Sequence, residues 1–328
     1  MSKVTVIGDG GWGTALAILA DSNGIDTVLW SYSPEYAGFL SKNRENVKFL
    51  KGIRIPESIE ITSCEKTAAD AEYIIFVVPC EYLRSVAEKF AGMRFRRIIS
   101  AIKGIENSSL ERPSEILRGF FPGSEIGVLS GPSISFEVAR KFPTTVVFAG
   151  EDSWSRDVQE LLTSGYFRVY TSGDLTGVEL GGALKNIVAI AAGISDGMGF
   201  GTNSKAAILT RGLAEITRLG VCMGARRETF SGLSGVGDLA TTCISSHSRN
   251  RWFGEQIGRG STVAEALGST EMVVEGIATV RSVFELAKKY SVDMPITEKV
   301  FEIVHEGKDP GVALKELMNR DLKAEDYG

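Results

Sequence analysis

Gly8-Asp9-Gly10-Gly11-Trp12-Gly13 is a G-x-G-x-x-G run, and it stands between the β-branched stretch Val4-Thr5-Val6-Ile7 and an Ala/Leu-rich stretch over residues 14–20. Strand, tight turn and helix in that order give each glycine a task. Gly8 allows the turn, Gly10 lets a pyrophosphate approach the main chain, and Gly13 lets helix and strand pack closely, while the helix start offers free N–H groups to the anion. A dinucleotide site is the functional reading, and a merely structural glycine turn is the alternative. An acidic residue holding the ribose 2′-hydroxyl of NAD is expected about 20 residues further on, at the end of the second strand. That place reads Trp30-Ser31-Tyr32, and Glu35 comes later. Strict NAD selectivity is therefore not supported, and use of NADP or of both cofactors is expected.

Hydride transfer to a carbonyl needs a group that protonates the developing alkoxide. The two histidines are poorly placed: His247 lies in a Ser-rich loop without an adjacent carboxylate, and His305 stands beside Glu306-Gly307 at an expected helix end. Lys185 is the better candidate, because it follows Gly181-Gly182-Ala183-Leu184 and precedes the apolar run that begins at Ile187. An ammonium drawn into such surroundings can exchange a proton near neutral pH. The bland alternative is a lysine snorkelling from a core helix to solvent. A second polar cluster joins Asp238, flanked by Gly235-Val236-Gly237, to Ser248-Arg249-Asn250-Arg251. Arg249 has the planar fork suited to phosphate, with Ser248 and Asn250 as further donors, although a run of this kind also suits a solvated loop and helix cap. Lys103-Gly104 and Gly131-Pro132-Ser133 each follow an expected strand. Ligands gather at the carboxyl ends of strands in doubly wound sheets, so both are expected to face the cofactor.

The elements that must position these groups follow from periodicity. Short apolar runs at residues 4–7, 27–30, 73–78, 98–100, 126–130 and 145–149 alternate with helical patterns. This predicts an α/β class fold whose N-terminal domain, residues 1–180, is a Rossmann-like doubly wound sheet. Beyond it, residues 183–193, 205–219, 262–267, 275–290 and 298–305 carry helix-period apolar positions without further strand runs. Residues 181–328 are accordingly expected to form an all-α substrate-binding and catalytic domain, entered directly through a long helix. Residues 323–328 are polar and expected to fray.

With 43% hydrophobic and 23% charged residues, the 328-residue chain has the balance of a globular protein. Its net charge of −5 gives no general attraction to nucleic acid, so an anionic substrate needs a local basic pocket. No apolar run approaches the roughly 20 residues of a bilayer span, and no leader precedes the first strand, which predicts a cytoplasmic protein without an integral membrane segment. Cys64, Cys80, Cys222 and Cys243 lack metal spacing or a disulfide framework, so ordinary buried or half-buried thiols and no metal are expected.

Taken together, these segments resemble the bacterial NAD(P)-dependent glycerol-3-phosphate dehydrogenases over nearly the full length. The matching blocks are Gly8 through Gly13, Lys103-Gly104-Ile105-Glu106, Ser130-Gly131-Pro132-Ser133, residues 177–186, Gly193-Ile194-Ser195-Asp196-Gly197, residues 210–215, residues 235–238, residues 248–251 and Val273-Val274-Glu275-Gly276. The resemblance implies reversible reduction of dihydroxyacetone phosphate to sn-glycerol 3-phosphate, the backbone of glycerophospholipids, by a homodimer using NAD or NADP. It implies Lys185 as proton acceptor in the oxidation, with Lys103, Gly131, Ser133, Asp238, Ser248, Arg249 and Asn250 around the substrate. Lys103 and Asp238 then complete the catalytic set. Cofactor contacts are implied at Gly11, Trp12, Tyr32, Lys103, Ser135, Arg249, Val273 and Glu275. Gly11, Tyr32 and Ser135 depart from residue types found in some relatives, so main-chain contacts are expected there, or stacking of Tyr32 on adenine. Two other readings stay open: a dehydrogenase with a Rossmann domain and a helical partner domain acting on a 3-hydroxy acid or a sugar acid, whose carboxylate Arg249 would also fit, and a cofactor-binding regulator without turnover.

Overall fold

The computed structural model describes residues 3–270, 272–322 and 324–325. Four members of the tail expected to fray, Lys323, Asp326, Tyr327 and Gly328, lie outside the described residues. The chain divides into two compact units: residues 1–103 with 111–179, and residues 104–110 with 180–328. It therefore passes from one unit to the other three times.

The first unit is built on an eight-stranded sheet: β1 (Lys3–Ile7), β2 (Asp26–Trp30), β3 (Glu60–Thr62), β4 (Tyr73–Phe76), β5 (Arg97–Ser100), β6 (Glu125–Ser130), β7 (Thr144–Ala149) and β8 (Phe167–Ser172). Their order is β3-β2-β1-β4-β5-β6-β7-β8. Every pairing is parallel except β6 with β7, which is antiparallel. Order reverses between β1 and β4, the switch point at which such sheets bind ligands. Both faces are covered: Val4, Val6, Ile75 and Ile99 pack into one core, while Ile7, Ile74, Phe76 and Ile98 pack into the other. Burial on two faces is why these strands read as continuous apolar runs instead of alternating ones.

Among the described residues the second unit is helical, and its core runs from Ile105 through Leu184, Ile187 and Ile190 to Phe253, Val280 and Val300. The long helix Leu175–Gly197 begins in the first unit and continues into the second. Contrary to the expectation that no segment is long and apolar enough, it passes for a membrane span by length and composition, but 94% of the relevant window is buried inside the protein. That burial is what a core helix requires.

Two buried glutamates close helix starts that would otherwise leave N–H groups unpaired. Glu179 accepts from the Ser114 N–H at 2.8 Å and its hydroxyl at 2.6 Å, with the Arg112 guanidinium 2.9 Å away, at the head of the helix Pro113–Phe120. Glu215 does the same for the helix Pro295–Glu306, taking the N–H groups of Ile296 at 2.6 Å and Thr297 at 3.1 Å. Burial pushes the Glu215 carboxyl from its ordinary 4.5 up to about 7, against the pull of those donors. A raised acid pKa favours the protonated folded state, so this contribution is complete below pH 4.5 and is lost as pH climbs through about 7. Glu215→Gln should flatten the pH dependence of the melting temperature across that window, removing a slope of at most about 1.4 kcal/mol per pH unit. Parallel curves for variant and parent would refute it.

Candidate active site

The turn after β1 has the geometry of an anion cradle. Gly8 adopts φ 122° and donates its N–H to the Trp30 carbonyl at 3.0 Å. A Cβ there would stand 2.5 Å from the Val77 oxygen, and one on Gly13 would stand 1.9 Å from the Gly8 oxygen, so neither position admits a side chain. A Cβ on Gly10 meets nothing within 4 Å, which leaves open space before the helix Gly11–Ser22. No side chain caps that helix start, and no acidic residue occupies its first turn. Free N–H groups facing open space fit a pyrophosphate. Gly11 lies against the Phe49 carbonyl and the Ser135 hydroxyl, where an added Cβ would fall 2.7 and 3.2 Å away. The Trp12 indole N–H is buried without a hydrogen-bond partner among the described residues.

Asn46 was not singled out from the sequence, yet it ties this turn together. Fully buried, it donates to the Asp9 carbonyl at 2.7 Å and to Thr14 Oγ1 at 2.8 Å, and it accepts from the Tyr36 hydroxyl at 2.7 Å. Such a fully paired network in a dry interior holds the turn rigid. Nothing in the sequence pairs position 46 with position 9.

Lys103, Gly131 and Ser133 meet at the ends of the neighbouring parallel strands β5 and β6, on the same sheet edge as the Gly8 turn. Lys103 Nζ donates to the Gly131 carbonyl at 3.1 Å, and Ser133 Oγ donates to the same oxygen at 3.0 Å. Tyr32, past the end of β2, is 57% exposed, with the Lys89 ammonium 4.7 Å from its ring centre. A flat, exposed ring there is available for stacking.

In the second unit Lys185 and Asp238 form a buried ion pair, 5% and 1% exposed. Lys185 Nζ also donates to Thr242 Oγ1 at 2.6 Å, and Thr242 donates in turn to the Asp238 carbonyl at 2.7 Å. The ammonium therefore does not snorkel to solvent. Next along the helix, Asn186 Oδ1 accepts from Asn250 Nδ2 at 2.9 Å, and Asn250 Oδ1 accepts from the Gly276 N–H at 2.9 Å. The amide nitrogen of Asn186 is buried and has no partner among the described residues. Ser248 caps the helix Arg249–Gly258 by accepting from the Arg251 N–H at 3.2 Å. Arg249 begins that helix, donating to the Val273 carbonyl at 3.3 Å, and Glu275 acts on it electrostatically. Burial draws the Arg249 pKa down and Glu275 opposes that shift, while an arginine keeps its charge regardless.

Glycines set this second cluster. A Cβ on Gly193 would fall 1.9 Å from the Arg251 oxygen, and one on Gly254 would fall 2.1 Å from the Ile190 oxygen. The two helices thus touch backbone to backbone, clamped by Arg251 and Asp196 at 2.7 Å. Four-residue spacings at Gly193/Gly197 and Gly254/Gly258 were the available signal for this crossing. His247 is exposed, and His305 Nε2 lies 3.0 Å from the Ile277 carbonyl, half-buried rather than solvated. Among the described residues no group of three or more His, Cys, Asp or Glu could hold a metal ion.

Comparison with known proteins matches residues 3–155 to the N-terminal and residues 174–315 to the C-terminal family model of NAD-dependent glycerol-3-phosphate dehydrogenase. The chain belongs to this family. Similar curated members include a glycerol-3-phosphate dehydrogenase [NAD(P)+] of Chlorobium phaeobacteroides, 45% identical across 99% of this chain and 100% of its own length. One from Citrifermentans bemidjiense is 47% identical across 98% of both chains. Among solved structures, the glycerol-3-phosphate dehydrogenase of Coxiella burnetii superposes with a TM-score of 0.94 at 36% identity, covering 97% of this chain and 99% of its own. The two family models together cover most of both units.

Proposed function

We infer that this NAD(P)-dependent dehydrogenase reversibly reduces dihydroxyacetone phosphate to sn-glycerol 3-phosphate, supplying a backbone for glycerophospholipids. The observation that carries the reading is the buried Lys185–Asp238 pair in the unit that also presents Arg249 at a helix start. A proton donor and an anion grip are what a phosphorylated ketone requires. Bound nicotinamide supplies the hydride. Lys185 Nζ delivers the proton to the alkoxide and recovers it in the oxidation, while Asp238 and Thr242 hold the ammonium in position. Arg249 neutralises the phosphate, supported by Ser248 and Asn250. Lys103, aided by Gly131 and Ser133, holds the substrate oxygen near the nicotinamide. Trp12, Tyr32, Ser135, Val273 and Glu275 complete the cofactor contacts with the glycine turn. A cytoplasmic homodimer belongs to the same reading, and four free cysteines suit a reducing compartment.

Oxidation of NADH or NADPH, followed by absorbance on adding dihydroxyacetone phosphate, tests the activity directly. Arg249→Ala should raise KM for this substrate by roughly 10- to 100-fold, as the loss of a charge-assisted contact of about 1.5–3 kcal/mol requires. An unchanged KM would mean that the phosphate is held elsewhere.

A further inference from the structure

The end of β2 carries Trp30-Ser31-Tyr32 and no acidic side chain of its own. In sheets of this class the adenosine ribose lies over that strand end, where a carboxylate takes the 2′-hydroxyl of NAD. Its absence from the sequence is what suggested NADP or dual use. The structure brings a carboxylate to the place by another route. Asp9, inside the glycine turn, accepts from Ser31 Oγ through Oδ2 at 2.5 Å. The turn that carries it abuts β2 through the Gly8 N–H on the Trp30 carbonyl, 3.0 Å. Ser31 is fully buried, and Asn46 pins the Asp9 carbonyl, so main chain and carboxylate are both held.

The surrounding charges bear on what such a group does. Burial pushes the Asp9 carboxyl up, whereas the Ser31 hydroxyl and the Lys48 ammonium draw it back towards the anion. Lys89 lies over the Tyr32 ring. Each of these lysines is a point charge, unlike the bidentate arginine fork that suits a 2′-phosphate.

We propose that Asp9 selects the cofactor of this dehydrogenase: its carboxylate, turned to the end of β2 by Ser31, accepts the ribose 2′-hydroxyl and repels a 2′-phosphate, so that NAD(H) is preferred to NADP(H). The proposal rests on the reading of residues 8–13 as the dinucleotide cradle. The test is a fluorescence titration of the full chain with NADH and with NADPH, without substrate, to obtain both dissociation constants. The parent should bind NADH at least tenfold more tightly than NADPH. Asp9→Asn should shrink that ratio at least tenfold, mainly through tighter NADPH binding, and Ser31→Ala should shift it the same way by less. If Asp9→Asn does not fold, Ser31→Ala still reports the direction. Equal affinities in the parent, or a ratio unmoved by the variants, would overturn the selector while leaving the cradle intact. Binding of neither cofactor would overturn both.

Discussion

Lys185→Met should lower kcat for dihydroxyacetone phosphate reduction by about 10²- to 10⁴-fold, the range contributed by a positioned proton donor, while NADH still binds the first unit. The substitution also takes the ammonium away from Asp238, whose carboxyl is only 1% exposed. Breaking a buried pair in this way costs about 3–5 kcal/mol, so loss of turnover by the single variant could reflect misfolding. Lys185→Met with Asp238→Asn separates the two effects, because no charge is then left unpaired. The double variant should regain most of the melting temperature lost by the single one and none of its turnover. Three measurements decide it: kcat from NADH absorbance, thermal unfolding, and NADH binding by fluorescence. Recovery of turnover together with stability would show that Lys185 is a structural ion and not the proton donor.

The second large effect concerns a methyl group. Gly193→Ala places a carbon 1.9 Å from the main-chain oxygen of Arg251, and two helix backbones cannot yield as a flexible side chain would. The helices must separate, at a cost of about 3 kcal/mol. The displaced helix carries Arg249 and Asn250 at its head, so KM for the phosphorylated ketone should rise in whatever remains folded. Gly38→Ala makes the same chemical change at an exposed position of the helix Pro34–Asn43, where an added carbon meets nothing within 4 Å. There the sign reverses: alanine should stabilise by about 0.5–1 kcal/mol through better helix propensity. Urea unfolding of both variants checks the pair, and equal shifts would contradict a backbone-to-backbone crossing.

How far the sequence alone reaches depends on where a residue's partner lies. The strands buried on both faces were visible as continuous apolar runs, and residues 4–7 and 27–30 fall inside β1 and β2. Two edge strands were not visible. β3 has three residues, and β8 alternates buried Phe167 and Val169 with exposed Arg168 and Tyr170, so neither forms such a run. Lys185 stood out because a cation in an apolar helix is locally odd. Its partners Thr242 and Asp238 lie more than fifty residues away, and Asn186 meets Asn250 across 64, separations that no periodicity reports. Asp9 was hidden differently: it occupies the variable position of a glycine motif, and only the fold shows that its side chain turns towards β2.

The stretch 104–110 has a consequence for any attempt to take the molecule apart. It leaves the first unit directly after Lys103, sinks Ile105 into the helical core, and receives the Ser282 hydroxyl on the Ile105 carbonyl at 2.9 Å before the chain returns. A gene cut at codon 180 would therefore strand seven residues of the helical half on the wrong fragment. It would leave a hole where an isoleucine belongs and a serine with no acceptor. The two halves are interlaced rather than strung in tandem, and neither is a portable module that could be expressed or recombined by a single cut.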